Sequence, residues 1–217
     1  MNWLPPALST YAADIDRIFY VILVITGIIF VAVEVTLIVF MIKYRGREGR
    51  KAYYIEGNTK AEVIWTVTPA IIVLALAFAS QGVWSRLKNP DRFPSDALTF
   101  SVEAKQFEWN FTYPGIDGVL GNGDDFTIRN QLHLPVGQPV VVHTSSIDVI
   151  HSFFIPVFRI KQDIVPGMVI PVWFEATETG EFELACAELC GLGHYRMRAR
   201  VFVHSQEDFA SWMAEQS

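Results

Sequence analysis

Two long apolar runs near the start of the chain constrain its fold more than any other feature. The first covers residues 18–42 and reads IFYVILVITGIIFVAVEVTLIVFMI, with Glu34 as its one charged residue. The second covers residues 63–84 and reads VIWTVTPAIIVLALAFASQGVW. A helix needs about 20 apolar residues to cross the hydrocarbon core of a bilayer, and both runs exceed that length. We therefore predict two transmembrane helices that form a hairpin.

The residues between the two runs indicate how the hairpin is oriented. They read KYRGREGRKAYYIEGNTK and carry six Lys and Arg against two Glu. Short cytoplasmic loops collect Lys and Arg, so we predict that this hairpin tip faces inside and that both termini face outside. The first ten residues, MNWLPPALST, lack a basic segment and a small-residue cleavage site, so we predict no removable signal peptide.

From about Leu98 the hydrophobic pattern alternates with a period of two, which is typical of strands. At least seven such segments are separated by turn residues, and they predict a β-sandwich or small barrel. Ser205, with Asp208 three residues later, predicts the start of a short last helix. The predicted organisation is an outer N-terminal segment (1–17), a transmembrane hairpin (18–84), a linker (85–97) and a β-domain (98–217).

The charge of the outer part indicates the kind of partner it meets. Residues 86–217 carry ten Lys and Arg against seventeen Asp and Glu, a net charge of −7. An acidic domain favours a basic partner and argues against nucleic acid.

The segment CAELCGLGHYRM, residues 186–197, contains both cysteines of the chain together with a histidine and a methionine. A disulfide between Cys186 and Cys190 would close a very small loop and constrain little of the unfolded chain. A zinc ion could bind to the cysteines and histidine of such a site, but zinc sites do not use a thioether such as that of Met197 as a ligand. Thiolates, imidazole and thioether together favour copper, so we predict a copper site.

The copper site needs a further ligand from another loop, and His151 is the best candidate because it follows an apolar stretch, thirty-five residues before Cys186. The remaining histidines, His133, His143 and His204, lie in or at the end of predicted strands and are interpreted as surface or core residues. A second thiolate can bridge a second copper ion. A pair that is fully ligated by protein has no open position for a substrate, so its predicted role is electron transfer.

The same motif resembles the binuclear CuA motif of subunit II of the heme–copper cytochrome c oxidases, C-x-E-x-C-G-x-x-H-x-x-M. The resemblance extends over almost the whole chain, through GNTKAEVIWTVTPAIIVLALA in the second run, QFEWNFTYP, DVIHSFFIP and IKQDIVPG. It implies two transmembrane helices followed by an all-β, cupredoxin-like Greek-key domain in a bacterial plasma membrane. It also implies a subunit that accepts electrons from cytochrome c or another basic donor and passes them to heme in subunit I of a proton-pumping oxidase, which reduces oxygen to water.

The resemblance also assigns roles to single residues. Cys186 and Cys190 would bridge the two copper ions, and His151 and His194 would each ligate one. Met197 and the backbone carbonyl of Glu188 would be weak axial ligands. The side chain of Glu188 would bind a magnesium ion shared with subunit I.

Two further roles concern protons and electrons. By position alone, Glu62 is interpreted as a solvated residue at the membrane interface, whereas the resemblance places it at the mouth of a proton pathway into subunit I. The family usually has Q-W-x-W, with the first tryptophan as the electron entry point, where this chain has Gln106, Phe107 and Trp109. The resemblance therefore implies that electrons enter either at Phe107 or through another aromatic residue such as Trp109 or Tyr195. The alternation of this segment is equally typical of ordinary sandwich residues. No C-x-x-C-H is present, so we predict no covalent heme.

The sequence also leaves two other functions open. One is a copper-free quinol-oxidase subunit with the same fold, which both cysteines, both histidines and Met197 argue against. The other is a CuA electron-transfer module of a denitrification reductase, which the helical hairpin and the segment around Glu62 disfavour. The expected partners are therefore subunit I, the other oxidase subunits, the electron donor and membrane lipid.

Overall fold

A computed structural model of the chain describes residues 3–115 and 117–216. The chain divides into two compact units. One contains residues 16–82, and the other combines the residues up to Ile15 with the chain from Val83 onwards. The predicted fold class is confirmed: two long apolar helices are followed by a β-sandwich.

The two helices are longer than the apolar runs that predict them. Helix α1 spans Ala12–Lys43 and helix α2 spans Thr59–Lys88. The start of α2 is set by local capping: the side chain of Asn58 accepts a hydrogen bond from the Ala61 N–H at 3.1 Å. Within the described residues, neither apolar window buries a side chain in this chain alone. Their surfaces are therefore available to lipid or to other membrane proteins.

The β-domain consists of two five-stranded sheets, with strand orders β3-β2-β1-β5-β8 and β4-β10-β9-β6-β7. The strands are β1 Leu98–Lys105, β2 Glu108–Tyr113, β3 Phe126–Arg129, β4 Gln131–Pro135, β5 Pro139–Ser146, β6 His151–Ile155, β7 Ile160–Ile164, β8 Ile170–Glu175, β9 Gly180–Cys186 and β10 Arg198–His204. Helix α3, Gln206–Gln216, follows β10. The Ser205 hydroxyl accepts a hydrogen bond from the Asp208 N–H at 3.1 Å, as the sequence predicts.

Asn130 divides one predicted strand segment, DDFTIRNQLHL, into β3 of the first sheet and β4 of the second. Its φ of 57° is left-handed, a conformation that Asn adopts more readily than most residues. Its side chain accepts a hydrogen bond from the Trp109 N–H at 2.8 Å, and its carbonyl accepts one from Arg200 at 3.0 Å. Asn130 therefore marks the point where the chain crosses between the sheets.

The core lies between the sheets and is rich in aromatic side chains, among them Phe100, Trp109, Phe111 and Tyr113. The buried Tyr113 hydroxyl donates to the carbonyl of His133 at 3.0 Å and accepts from its N–H at 2.7 Å. Because Tyr113 lies in β2 and His133 in β4, these two bonds join the two sheets.

The residues before α1 extend the edge of the sandwich. The Leu8 N–H donates to the Val157 carbonyl at 2.8 Å, and the Leu8 carbonyl accepts from Thr177 at 3.1 Å. The Thr10 N–H donates to the Glu175 carbonyl at 3.2 Å. Leu8 and Tyr11 are buried in the core of the domain. The start of the chain is therefore an integral part of the β-domain.

A stacked pair of histidines attaches α3 to the sandwich. His133 Nδ1 and His204 Nε2 are 2.8 Å apart, and the Trp212 ring of α3 stacks on the His133 ring at 4.1 Å. Burial, followed by the neighbouring His204, lowers the pKa of His133 from 6.5 to about 4. His133 and His204 are therefore structural residues, in agreement with the interpretation from the sequence.

Acid is expected to loosen this attachment. Between pH 6.5 and about 4 the unfolded chain binds a proton at His133 and the folded chain does not, so the free energy of unfolding falls as the pH falls. The loss is at most about 3 kcal/mol, from 1.36 kcal/mol per pKa unit. Hydrogen exchange of the α3 amides across this pH range measures it. His133→Phe keeps a ring for stacking and should flatten the pH dependence; an unchanged slope in that variant would contradict the assignment.

Candidate metal centre

Three segments converge at one end of the second sheet. His151 is the first residue of β6, Cys186 is the last residue of β9, and residues 187–197 connect β9 to β10. The Ala187 N–H donates to the Ser152 carbonyl at 3.1 Å, and the Cys186 N–H donates to the Met197 carbonyl at 3.0 Å. These bonds close the connection into a loop, hereafter the ligand loop, and hold it against the start of β6.

The two cysteine side chains lie side by side without a covalent bond. Their Sγ atoms are 3.8 Å apart, whereas a disulfide bond is about 2 Å long. Both thiols are free and buried. The structure therefore presents two separate sulfur donors that face each other.

The other predicted donors surround the two sulfur atoms. His151 Nδ1 lies 3.9 Å from Cys186 Sγ, and His194 Nδ1 lies 3.7 Å from Cys190 Sγ. Met197 Sδ lies 3.7 Å from Cys190 Sγ, and the Glu188 carbonyl lies 3.2 Å from Cys186 Sγ. The structure thus brings together all six residues that the sequence nominates as copper ligands.

The donor set fits copper. The ligand atoms of His151, Cys186 and Cys190 lie within 4.8 Å of one another. Atoms that bind one ion at about 2.0–2.3 Å are separated by distances of this order. Thiolate, imidazole and thioether are donors that copper accepts and that magnesium and calcium do not favour, and two of the donors are buried, with His151 0% and Met197 2% exposed. Since the chain supplies every donor, the site suits electron transfer better than substrate binding.

The two thiols differ in acidity. Burial by itself raises the pKa of the Cys186 thiol, but hydrogen bonds from His151 and from the backbone of Glu188 and Ser152 lower it overall. Burial and then the charge on Cys186 raise the pKa of Cys190. Without metal, the first thiolate therefore forms at Cys186, and a metal ion must displace the proton held by Cys190.

The turn of Gln106 and Phe107, between β1 and β2, packs against the ligand loop. The Gln106 side chain donates to the Cys190 carbonyl at 2.5 Å. A Cβ atom on Gly193 would lie 2.4 Å from the Phe107 ring, and one on Gly191 would lie 2.6 Å from Gln106 Nε2. Glycine at these two positions therefore allows the loop to approach the turn closely.

The structure places both aromatic residues of the predicted electron path beside the centre. Phe107 is half-buried against the ligand loop. Trp109 is fully buried, with its ring 6.2 Å from the His151 ring in an edge-to-face arrangement. Leu192 and Tyr195, in the ligand loop, are 97% and 85% exposed. The loop therefore also presents apolar surface to solvent.

Glu188 and Glu62 are differently placed. The carbonyl of Glu188 faces Cys186, while the residue itself is exposed. Glu62 lies in the first turn of α2, in the unit that contains residues 16–82, and is also exposed.

Sequence reasoning missed two residues of this site, Asp148 and Gln106. Asp148 Oδ1 accepts a hydrogen bond from His151 Nε2 at 2.9 Å, and Asp148 Oδ2 accepts one from the Gln106 N–H at 2.7 Å. A carboxylate three residues before a candidate histidine ligand was the available signal for Asp148. Nothing in the sequence pattern indicates that Gln106 reaches both Asp148 and the ligand loop.

Comparison with known families gives two matches that together cover most of the chain. Residues 1–83 match the family described as cytochrome C oxidase subunit II, transmembrane domain. Residues 98–204 match the family described as cytochrome C oxidase subunit II, periplasmic domain. The second match contains all six candidate copper ligands.

Individual relatives agree with these matches. The alternative cytochrome c oxidase subunit 2 of Bradyrhizobium diazoefficiens is 35% identical, over 99% of this chain and 83% of that protein. Cytochrome c oxidase subunit 2 of Thermostichus vulcanus is 33% identical, over 96% of this chain and 77% of that protein. The crystal structure of the periplasmic domain of subunit II of cytochrome oxidase from Bradyrhizobium japonicum superposes with a TM-score of 0.51 at 31% identity, over 57% of this chain and 95% of that domain.

Proposed function

This chain belongs to the cytochrome c oxidase subunit II family, a subunit of an oxidoreductase complex, and we propose that it is the electron-input subunit of a proton-pumping heme–copper oxidase. It accepts electrons from cytochrome c or another basic donor and passes them to heme in subunit I, where oxygen is reduced to water. The observation that carries this proposal is the pair of buried, unbonded sulfur atoms 3.8 Å apart, flanked by two imidazoles and a thioether.

The distances between side chains are consistent with the ligand set that the family resemblance implies. Cys186 and Cys190 would hold a copper pair through their thiolates, with His151 on the Cys186 side and His194 on the Cys190 side. Met197 and the carbonyl of Glu188 would supply the two remaining donors. When bound, a copper pair supplies a one-electron redox centre whose charge change is spread over two ions.

The protein residues contribute rigidity and exclude water. His151, Cys186, Cys190 and Met197 are buried, so few water molecules need to reorient when the charge of the centre changes. The ligand loop is fixed at both ends by backbone hydrogen bonds to Ser152 and Met197. Fixed ligands keep the same geometry in both oxidation states, which favours fast electron transfer.

Electrons enter at the aromatic residues beside the ligand loop. Phe107 packs on Gly193 in this loop, and Trp109 lies edge-to-face with His151. Phe107 therefore serves as the contact for the donor at the position where the family usually has tryptophan, and Trp109 is the second aromatic residue of the path.

Glu188 and Glu62 have roles at the boundary with subunit I. Because its carbonyl faces Cys186 while the residue is exposed, Glu188 can contribute its carboxylate to a magnesium ion shared with subunit I. Glu62, exposed in the first turn of α2, stands at the mouth of a proton pathway into subunit I.

The chain crosses the bacterial plasma membrane twice. Two apolar helices and the match to a periplasmic-domain family support this topology. The six basic residues of segment 43–60 support a hairpin tip that faces inside, with both termini and the β-domain outside.

Electron paramagnetic resonance of the full chain, purified in detergent and loaded with copper, tests the central proposal. One electron shared by two equivalent copper nuclei gives seven hyperfine lines. Four lines would indicate a single copper ion and overturn the binuclear assignment. Zinc in freshly isolated protein would overturn the copper assignment. Copurification with heme A, together with oxygen consumption, separates an oxidase from a denitrification reductase.

Association with a basic donor should depend on salt, because residues 86–217 carry a net charge of −7. We expect the second-order rate of donor oxidation to fall by about tenfold between low salt and about 0.5 M salt, since ions screen the attraction. Stopped-flow kinetics of the oxidase complex measure this rate. A small uncharged reductant is the control and should show little change. A rate for the basic donor that does not depend on salt would contradict electrostatic steering.

A further inference from the structure

Asp148 accepts hydrogen bonds from the side chain of His151 and from two backbone N–H groups. Its Oδ1 accepts from His151 Nε2 at 2.9 Å and from the Val149 N–H at 2.6 Å, and its Oδ2 accepts from the Gln106 N–H at 2.7 Å. The side chain is 29% exposed. Both of its oxygens are thus committed to groups around the metal centre.

Gln106 connects this carboxylate to the other side of the centre. Its backbone N–H donates to Asp148, and its side-chain amide donates to the Cys190 carbonyl at 2.5 Å. Asp148 lies in the connection between β5 and β6, and Gln106 lies in the connection between β1 and β2. One residue therefore joins the segment that carries His151 to the loop that carries Cys190.

We propose that Asp148 and Gln106 are positioning residues: Asp148 fixes the tautomer and ring orientation of His151, and Gln106 fixes the ligand loop at Cys190, so that together they set the reduction potential and the symmetry of the copper pair. This inference rests on the proposed binuclear copper centre. Neither residue touches the metal; each acts through a ligand.

The hydrogen bond determines which nitrogen of His151 is free to bind a metal. In the neutral, metal-binding form of the imidazole, donation from Nε2–H to Asp148 leaves Nδ1 unprotonated, and Nδ1 is the atom that faces Cys186 Sγ at 3.9 Å. A carboxylate behind a ligating histidine also raises the basicity of the imidazole, and such pairs are common at metal sites. Its negative charge stabilises the oxidised centre relative to the reduced one.

Two substitutions at Asp148 separate charge from hydrogen bonding. Asp148→Asn keeps an oxygen acceptor for His151 but removes the charge, and Asp148→Ala removes both. In the copper-loaded full chain, we expect both to raise the reduction potential. We expect Asp148→Ala also to lower copper affinity by about 10- to 100-fold and to make the hyperfine pattern unequal between the two nuclei.

The matched control is Glu103→Gln, which removes the same charge from an exposed residue of β1 whose register partner in β5 is Ser145. Its reduction potential should shift less than that of Asp148→Asn.

Gln106→Leu keeps the backbone bond to Asp148 but loses the bond to Cys190, so it should alter the hyperfine pattern with little change in reduction potential. If Asp148→Ala matched Glu103→Gln in potential and spectrum, the positioning role of Asp148 would be refuted. An ordinary spectrum in Gln106→Leu would refute the role of Gln106. The unmodified chain serves as reference: failure to show seven lines there refutes the binuclear centre itself, a distinct result.

Discussion

Cys190→Ser is expected to abolish the copper pair. Cys190 Sγ lies 3.8 Å from Cys186 Sγ, 3.7 Å from His194 Nδ1 and 3.7 Å from Met197 Sδ, so it contacts three other atoms of the donor set. A hydroxyl is a poor donor for copper compared with a thiolate. We expect the visible chromophore to disappear and reduction by cytochrome c to slow by more than about 100-fold, beyond the 10- to 100-fold that is usual for residues that only support a ligand.

Absorption spectroscopy and stopped-flow reduction measure these effects. Ala187→Ser, which adds a hydroxyl in the same loop without removing a donor, is the control and should keep its copper. Near-ultraviolet circular dichroism establishes that both variants remain folded. An unchanged visible spectrum in Cys190→Ser would rule out Cys190 as a bridging ligand.

Phe174→Ala is expected to have the largest effect on stability. Phe174 lies in β8, is fully buried, and stacks on Phe158 with ring centroids 5.4 Å apart. Replacing a buried phenylalanine with alanine leaves a cavity and costs about 3–5 kcal/mol. A domain is stabilised by only about 5–15 kcal/mol in total, so this is a large part of the whole.

Urea unfolding of the full chain in detergent, followed by tryptophan fluorescence, measures the change in free energy. Val169→Ala, in the connection before β8, is the control: Val169 is 67% exposed, and its truncation should change stability by no more than about 0.5 kcal/mol. Equal midpoints for the two variants would show that the core around Phe174 can rearrange to fill the space.

Much of the fold could be predicted because its signals are local. The apolar runs around Glu34 and Pro69 identify the two helices, and strict alternation identifies strands such as β1 and β10. The metal site could be identified because four of its side-chain donors lie within twelve residues of the sequence. Their spacing alone predicts that they bind a metal ion. The hydroxyl of Ser205 at the start of α3 is another local signal that the structure confirms.

The parts that could not be predicted depend on residues distant in sequence. Strands β6 and β7 are five residues each, and β6 is mostly buried on both faces, so the alternation that reveals other strands is missing. Asn130 ends one strand and begins another in the opposite sheet, which alternation does not detect. Gln106 acts on Cys190 across 84 positions of the chain, and only the folded structure shows that contact.

The hydrogen bonds of Leu8 and Thr10 with residues 157–177 have a consequence for biosynthesis. Leu8 and Thr10 leave the ribosome long before residues 157–177, so this edge of the sandwich cannot be completed until those residues have been made. Those partners can meet only in the same compartment, which requires an even number of membrane crossings between them. A chain that inserted only one of its two helices would leave Leu8 and the β-domain on opposite sides of the bilayer, with that edge exposed. Completion of the sandwich is therefore incompatible with the insertion of a single helix.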